Sequence, residues 1–387
     1  MQTEAHGTLD SEAISAGDAR DAYAGKLFPN RQLQMFRDSP WTFATREVRV
    51  GRKASPLPPA ESPLDELTIV SGDARYDLID YVSLNRVAGL IILRNGKVCL
   101  EHYEFGNRRD TRWISMSIAK SVSSTLVGAA LQDGDIRSLD DPLTRYLPQL
   151  LVGGYDGVSI RNLLQMSSGV QWDDTHTNEH SDRRHMLDLQ IEQQPGAILR
   201  DVAKQARIAQ PGTVWNYSTG ETHVVGALLR AATGRWLADY LSEKIWSPFG
   251  MESSGSWWLE SPHGLEVAGS GIAATLRDYA RFGQFILNDG VIGDQRVLPR
   301  GWVQEATKPQ QICGKQVDYG YMWWLVASRD GSYADGAFSA RGIFGQYIYI
   351  NPARRLVIVS LSARAKPKNS EVIPDNDFFN SVADAMR

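Results

Sequence analysis

Apolar and polar positions follow two different periods along this chain, and the places where the period changes divide it. Val87-Ala88-Gly89-Leu90-Ile91-Ile92-Leu93 and Val98-Cys99-Leu100-Glu101-His102-Tyr103 are rich in branched and aromatic residues, with Arg94-Asn95-Gly96-Lys97 between them. Asn-Gly accepts the positive φ values that a right-twisted hairpin turn requires, so this stretch predicts a β-hairpin that starts a sheet. A second strand pair is predicted at Gln346–Ile350 and Leu356–Ser360, joined by Asn351-Pro352-Ala353-Arg354-Arg355 and followed by a closing helix from about Asn376. Between the pairs, residues 117–310 repeat with helical spacing, as in Val122, Leu126, Val127, Ala130 and Leu131, with stops at Gly134, Pro142, Gly169 and Pro211.

Strands at both ends around a helical middle predict an α+β fold. One antiparallel sheet is built from both chain ends and flanked by helices, a helical domain is inserted, and the cleft lies at the junction. The expected divisions are an N-terminal wrapping segment over 1–64, a sheet domain from 65–120 with 312–387, and a helical domain over 121–311. The N-terminal segment ends in Pro56-Leu57-Pro58-Pro59 and Pro63, which reads as extended chain without evident chemistry. No internal repeat is visible.

Composition narrows the function. With 387 residues, 42% hydrophobic and 22% charged, the chain can bury a core large enough for two lobes. A net charge of -4 leaves no basic surplus for phosphates, so the expected partner is a small molecule rather than nucleic acid or a membrane face; a homodimer is compatible with this. The first twenty residues carry four acidic side chains and no apolar run, and no stretch reaches membrane-span length, so a cytoplasmic location is expected. Cys99 and Cys313 read as ordinary thiols, and no cofactor or metal is implied. Eleven Trp predict a bulky core and an aromatic-walled cleft. In Trp323-Trp324, strand alternation points one ring to the core and the other toward the cleft or the helical lobe.

Ser115-Met116-Ser117-Ile118-Ala119-Lys120-Ser121 opens an apolar helix just after the first hairpin. Lys120 lies three residues after Ser117 and therefore on the same helix face. A serine hydroxyl needs a nearby base, and a desolvated lysine can lose its proton near neutral pH and serve as one. The helix N-terminus adds a favourable partial charge for a developing oxyanion. Taken alone, S-x-x-K is equally an N-cap serine followed by a solvated lysine. Pro211-Gly212-Thr213-Val214-Trp215-Asn216-Tyr217-Ser218-Thr219-Gly220 is a turn entering a helix. A lysine ammonium beside Tyr217 would lower its phenol pKa and fit it to act as general base, then as general acid.

Together, SMSIAKS, PGTVWNYSTG, SGIAATLRDYARFGQFILNDG and ARGIFGQYIYINPARRLVIV resemble, in the same order, the serine β-lactamase and penicillin-binding-protein superfamily in its class C-like branch of esterases and amidases. The resemblance spans roughly residues 85–365. The stretch around Ser39-Pro40-Trp41-Thr42-Phe43 is similar to the leader region of the 6-aminohexanoate-dimer (nylon oligomer) hydrolases. The resemblance implies a β-lactamase-like fold and an acyl-enzyme route, with Ser117 as nucleophile and Lys120 and Tyr217 moving its proton. The backbone N–H groups of Ser117 and Ile343 would form an oxyanion hole, Ile343 following Gly342 of the third motif; such donors give about 3 kcal/mol each. Substrate contacts would come from Thr219, Trp172, His176, Trp324, Arg341, Gly342 and Gln346. Where the superfamily carries a cation, this chain has Ala340-Arg341-Gly342, which removes the usual carboxylate anchor and points from β-lactams toward esters and unactivated amides. A penicillin-binding enzyme or D-amino-acid peptidase is the alternative.

His176-Thr177-Asn178-Glu179-His180 matches the H-x-x-E-H pattern of zinc peptidases, which needs His176 and His180 on one helix face. Its polar flanks argue against a buried metal-bearing helix, so this is the remote alternative. By the resemblance, residues 171–194 form the loop over the cleft. Asp173, Asp174, Glu179 and Asp182 there would attract a substrate amine, whereas Arg183, Arg184 and Arg341 would bind a carboxylate.

Overall fold

The computed structural model describes residues 13–386. The first twelve residues, part of the stretch behind the cytoplasmic expectation, lie outside the described residues. The first hairpin forms as its sequence dictates: Val87–Arg94 (β1) pairs antiparallel with Lys97–Tyr103 (β2) across a turn in which Asn95 and Gly96 have φ of 53° and 75°. Four further strands, Trp324–Leu325 (β3), Phe338–Gly342 (β4), Gln346–Asn351 (β5) and Leu356–Ser362 (β6), complete a six-stranded sheet in the order β3-β4-β5-β6-β1-β2. The two chain ends meet where β6 pairs antiparallel with β1, Ile358 opposite Ile92. The fold is therefore the expected α+β arrangement, with one antiparallel sheet built from both chain ends.

Alternation along the central strands assigns each sheet face to its own core. Ile91, Leu93, Ile348, Ile350, Val357 and Val359 belong to the core that also holds the helices Ile118–Asp133 (α1) and Leu276–Leu287 (α3). Leu90, Ile92, Tyr349 and Ile358 face the closing helix Asp375–Ala385 (α4) through Phe378, Phe379 and Val382. The helical middle contains α1, Thr219–Thr233 (α2) and α3, yet it also carries strands the helical pattern did not reveal. Gly255–Trp258 and Ile272–Thr275 lie between Thr45–Val48 and Arg112–Ile114 in a second, four-stranded sheet. These strands are buried on both faces, so they show no alternation to read.

The reading of the N-terminal segment as extended holds only for its end, where Val98 N donates to Pro58 O and Leu64 N to Cys99 O along the edge strand β2. Upstream it is helical, over Ala16–Tyr23, Pro29–Arg37 and Ser39–Thr42, and it inserts Tyr23, Met35 and Phe36 into the main core. Its polar residues masked an apolar face that only packing exposes. Among the described residues, no helix is long and apolar enough to cross a membrane.

Candidate active site

The second sheet aims the chain at Ser117. Ser115, just past Arg112–Ile114, donates its N–H to Ile272 O at 2.7 Å and accepts from Ile272 N through Oγ at 3.1 Å. Met116 then takes a left-handed φ of 45°, a conformation that side chains with a Cβ rarely adopt, and the chain turns into α1 with Ser117 as its N-cap residue. An N-cap amide has no partner within its helix, so the Ser117 N–H is free to face a ligand. One turn on, Lys120 places Nζ 3.0 Å from Ser117 Oγ and 3.1 Å from Gly269 O. Lys120 is 1% exposed, and burial pushes its ammonium down to about 7 against the opposing pull of Asp174. A deprotonated amine at that distance is within hydrogen-bond reach of the serine proton.

Tyr217 ends the segment that enters α2, whose N-cap Ser218 accepts from Glu221 N at 3.0 Å. Lys120 Nζ stands 5.1 Å from the centre of its ring, and the Ser117 hydroxyl is near enough to pull against the rise in the phenol's pKa. The expected lowering of the phenol pKa is not what the site does. Burial drives it upward, because the phenolate would be desolvated and a lysine that loses its own proton near pH 7 supplies no compensating charge. Tyr217 is therefore held as a neutral phenol, able to donate a hydrogen bond.

Gly342 closes the other side. A Cβ at this position would sit 2.6 Å from Ser115 O, 2.9 Å from Met116 Cβ and 3.0 Å from Ser117 N. Only glycine lets β4 run this close to the Ser117 amide, and Ile343 lines the same cavity as Ser117.

Ser117 and Tyr217 open into a cavity of about 1180 Å³. Trp172, His176, Trp324, Arg341 and Gly342 line it, as expected. Trp324 stacks against Tyr217 with ring centres 5.7 Å apart, while Trp323 is 1% exposed in the core, so the alternation of that pair is as expected. Thr219 and Gln346 do not reach the cavity. Thr219 starts α2, packs its methyl near Gly269 and gives its N–H to Asp174 Oδ1 at 2.9 Å. Gln346 is fully buried, accepting from Trp113 Nε1 at 3.0 Å and donating to Ser362 O at 2.7 Å. Both lie near motif residues in sequence, but their side chains turn inward.

The loop expected over 171–194 runs without helix only from Gln171 to Ser181; Asp182–Glu192 is a helix capped by Ser181 Oγ, which accepts from Arg184 N. The zinc-peptidase geometry therefore fails: His180 is 87% exposed, whereas His176 is buried against Tyr23 with ring centres 5.4 Å apart. Burial pushes the His176 imidazole down to about 3, so it is neutral in ordinary buffers. Arg183 is also buried, its Nη2 donating to Tyr23 Oη at 2.6 Å. Asp174 Oδ1 accepts from Trp172 Nε1 at 2.8 Å as well as from Thr219 N, tying the loop to the start of α2. Tyr23 was missed as a support of the site because nothing in the polar N-terminal segment signals a contact 160 residues away.

The profile of the beta-lactamase family matches residues 85–378. The chain belongs to the beta-lactamase family. Within the family's wider kin, a 6-aminohexanoate-dimer hydrolase of Paenarthrobacter ureafaciens is 27% identical over 377 residues, covering 93% of this chain and 89% of that protein. Esterase EstB of Burkholderia gladioli is 28% identical over 225 residues, 52% of this chain and 55% of the esterase. A solved Bacillus anthracis structure, provisionally named a 6-aminohexanoate-dimer hydrolase, shares the fold with a TM-score of 0.79 at 24% identity, covering 91% of this chain and 92% of that one. This beta-lactamase-fold chain is thus related to amide- and ester-cleaving hydrolases.

Proposed function

We propose that this beta-lactamase-family chain hydrolyses amide or ester bonds of small molecules through an acyl-enzyme at Ser117. The observation that carries this reading is the buried Lys120 amine 3.0 Å from the Ser117 hydroxyl at the wall of an open cavity. Ser117 Oγ attacks the carbonyl carbon and its proton passes to Lys120 Nζ. The Ser117 and Ile343 N–H groups hold the oxyanion. As the intermediate collapses, the C–N or C–O bond breaks and the leaving group takes a proton from Lys120 through the Tyr217 phenol. Water then repeats the sequence on the acyl-enzyme and frees Ser117.

The 6-aminohexanoate-dimer hydrolase, matched over nearly its whole length, supports an amidase of that type with carboxylesterase activity alongside. Ala340 is fully buried and carries no charge, which weighs against β-lactams. The test is incubation with a p-nitrophenyl ester or a fluorophosphonate, followed by peptide mass spectrometry. An adduct on Ser117 and loss of turnover in Ser117→Ala are expected. Labelling elsewhere, or full turnover by Ser117→Ala, sinks the proposal.

A further inference from the structure

Arg341 is a cation on the cavity wall that the protein does not neutralise. The half-buried residue holds its guanidinium 5.7 Å from the ring centre of Trp324 and 5.9 Å from that of Tyr347. Its Nε donates to Ser339 Oγ at 2.8 Å and its Nη2 to Asn376 Oδ1 at 3.2 Å, both uncharged partners. The acids in its neighbourhood are spoken for. Asp375, whose charge is felt at Arg341, binds both Nη atoms of Arg364. Glu371 lies 3.7 Å from the same Arg364 and accepts from Ser370 N at 3.0 Å. Among the described residues, no carboxylate lies within the 4.0 Å of an ion pair with Arg341. Burial works against the charge of this group, yet arginine does not neutralise by losing its proton. A desolvated ion without a counter-charge is unfavourable, and the open side of this one faces substrate space.

We propose that Arg341 is the subsite for a substrate carboxylate, so that the preferred amides or esters carry an acid group a short spacer away from the scissile carbonyl. Arg341 lies in the last two residues of β4 and Ile343 directly follows that strand, so the cation and the proposed oxyanion donor border one cavity. The planar fork of the guanidinium suits a bidentate carboxylate, and the rings of Trp324 and Tyr347 flank it. Lys368, exposed on the same wall, adds positive field; Lys366, also on the wall, donates to Gly25 O at 2.7 Å. The subsite rests on the assignment of Ser117 as nucleophile.

The experiment compares p-nitrophenyl butyrate with mono-p-nitrophenyl glutarate, and phenyl butyrate with 3-butyryloxybenzoate, which place the acid on the acyl or the leaving side. For at least one pair, the wild-type kcat/KM is expected to favour the acid ester tenfold or more. That ratio should fall to near one in Arg341→Gln and be partly restored in Arg341→Lys. Without any variant, glutarate should inhibit hydrolysis of p-nitrophenyl butyrate with a Ki at least tenfold below that of glutaramide. Wild-type ratios near one for both pairs, a ratio unaltered in Arg341→Gln, or equal inhibition by glutarate and glutaramide overturns the subsite. Failure of the nucleophile assignment reads out separately, as turnover of the neutral ester by Ser117→Ala.

Discussion

Lys120 shows how position changes the chemistry of a side chain. In water its amine would be protonated at neutral pH, but with 1% exposure the charged form is disfavoured and its pKa falls to about 7. With the free amine as the proposed base, kcat/KM for an ester should drop as pH falls through about 7, with an acid limb of unit slope, as a pH–rate profile would reveal. A limb near the ordinary lysine value, or none, contradicts the assignment. Tyr217 differs in kind: its phenol stays protonated, so Tyr217→Phe removes a relay and not a charge. Its kcat should fall by roughly 10²–10⁴-fold with little change in KM or in the acid limb. Ser117, Lys120 and Tyr217 were legible in the sequence because their spacing is local or belongs to an ordered set of motifs. The phenol's protonation state was not, since it depends on burial supplied by distant residues such as Trp324.

Among the elements, those with strong local signals formed where expected. The Asn95-Gly96 turn and the strands around it needed no tertiary information, because the positive φ values at the turn are encoded in two residues. Strands Gly255–Trp258 and Ile272–Thr275 were hidden by complete burial, and the N-terminal helices by their polar composition. The junction between β4 and the start of α1 is where element packing decides activity. In Gly342→Ala the new methyl would stand 2.6 Å from Ser115 O and 3.0 Å from Ser117 N, so one backbone must move. That displaces an oxyanion donor, and kcat should fall by about 10²-fold while Tm changes by only a few degrees. Steady-state kinetics with a melting curve checks this; a fall in Tm with activity intact would show that the close approach serves packing alone.

At the scale of the whole molecule, folding hides two ionisable groups whose pH dependences oppose each other. Glu221, buried on α2 and hydrogen-bonded by Ser168, is pushed up to about 8 by desolvation. Between about pH 5 and 8 the folded chain holds this proton and the unfolded chain does not, so this group makes stability decline as pH rises through that window. Lys120 acts in the other direction above about 7, where the unfolded chain binds the extra proton. Glu221→Gln should therefore lessen the loss of Tm between about pH 5 and 8 by several degrees, measured by calorimetry at both pH values. Equal losses in variant and wild type would mean that Glu221 ionises freely in the folded state.

The sequence by itself determined the strands at both ends, the helix that carries Ser117 and Lys120, and the family, because hydrophobic period, turn chemistry and motif order are properties of neighbouring residues. The tertiary structure alone decided which nearby side chains face substrate. It turned Gln346 and Thr219 inward, set Tyr23 behind His176 and Arg183, and left Arg341 on the cavity wall without an acid. Those outcomes depend on desolvation and on contacts between residues far apart in the chain. Neither quantity is carried by any local stretch of sequence.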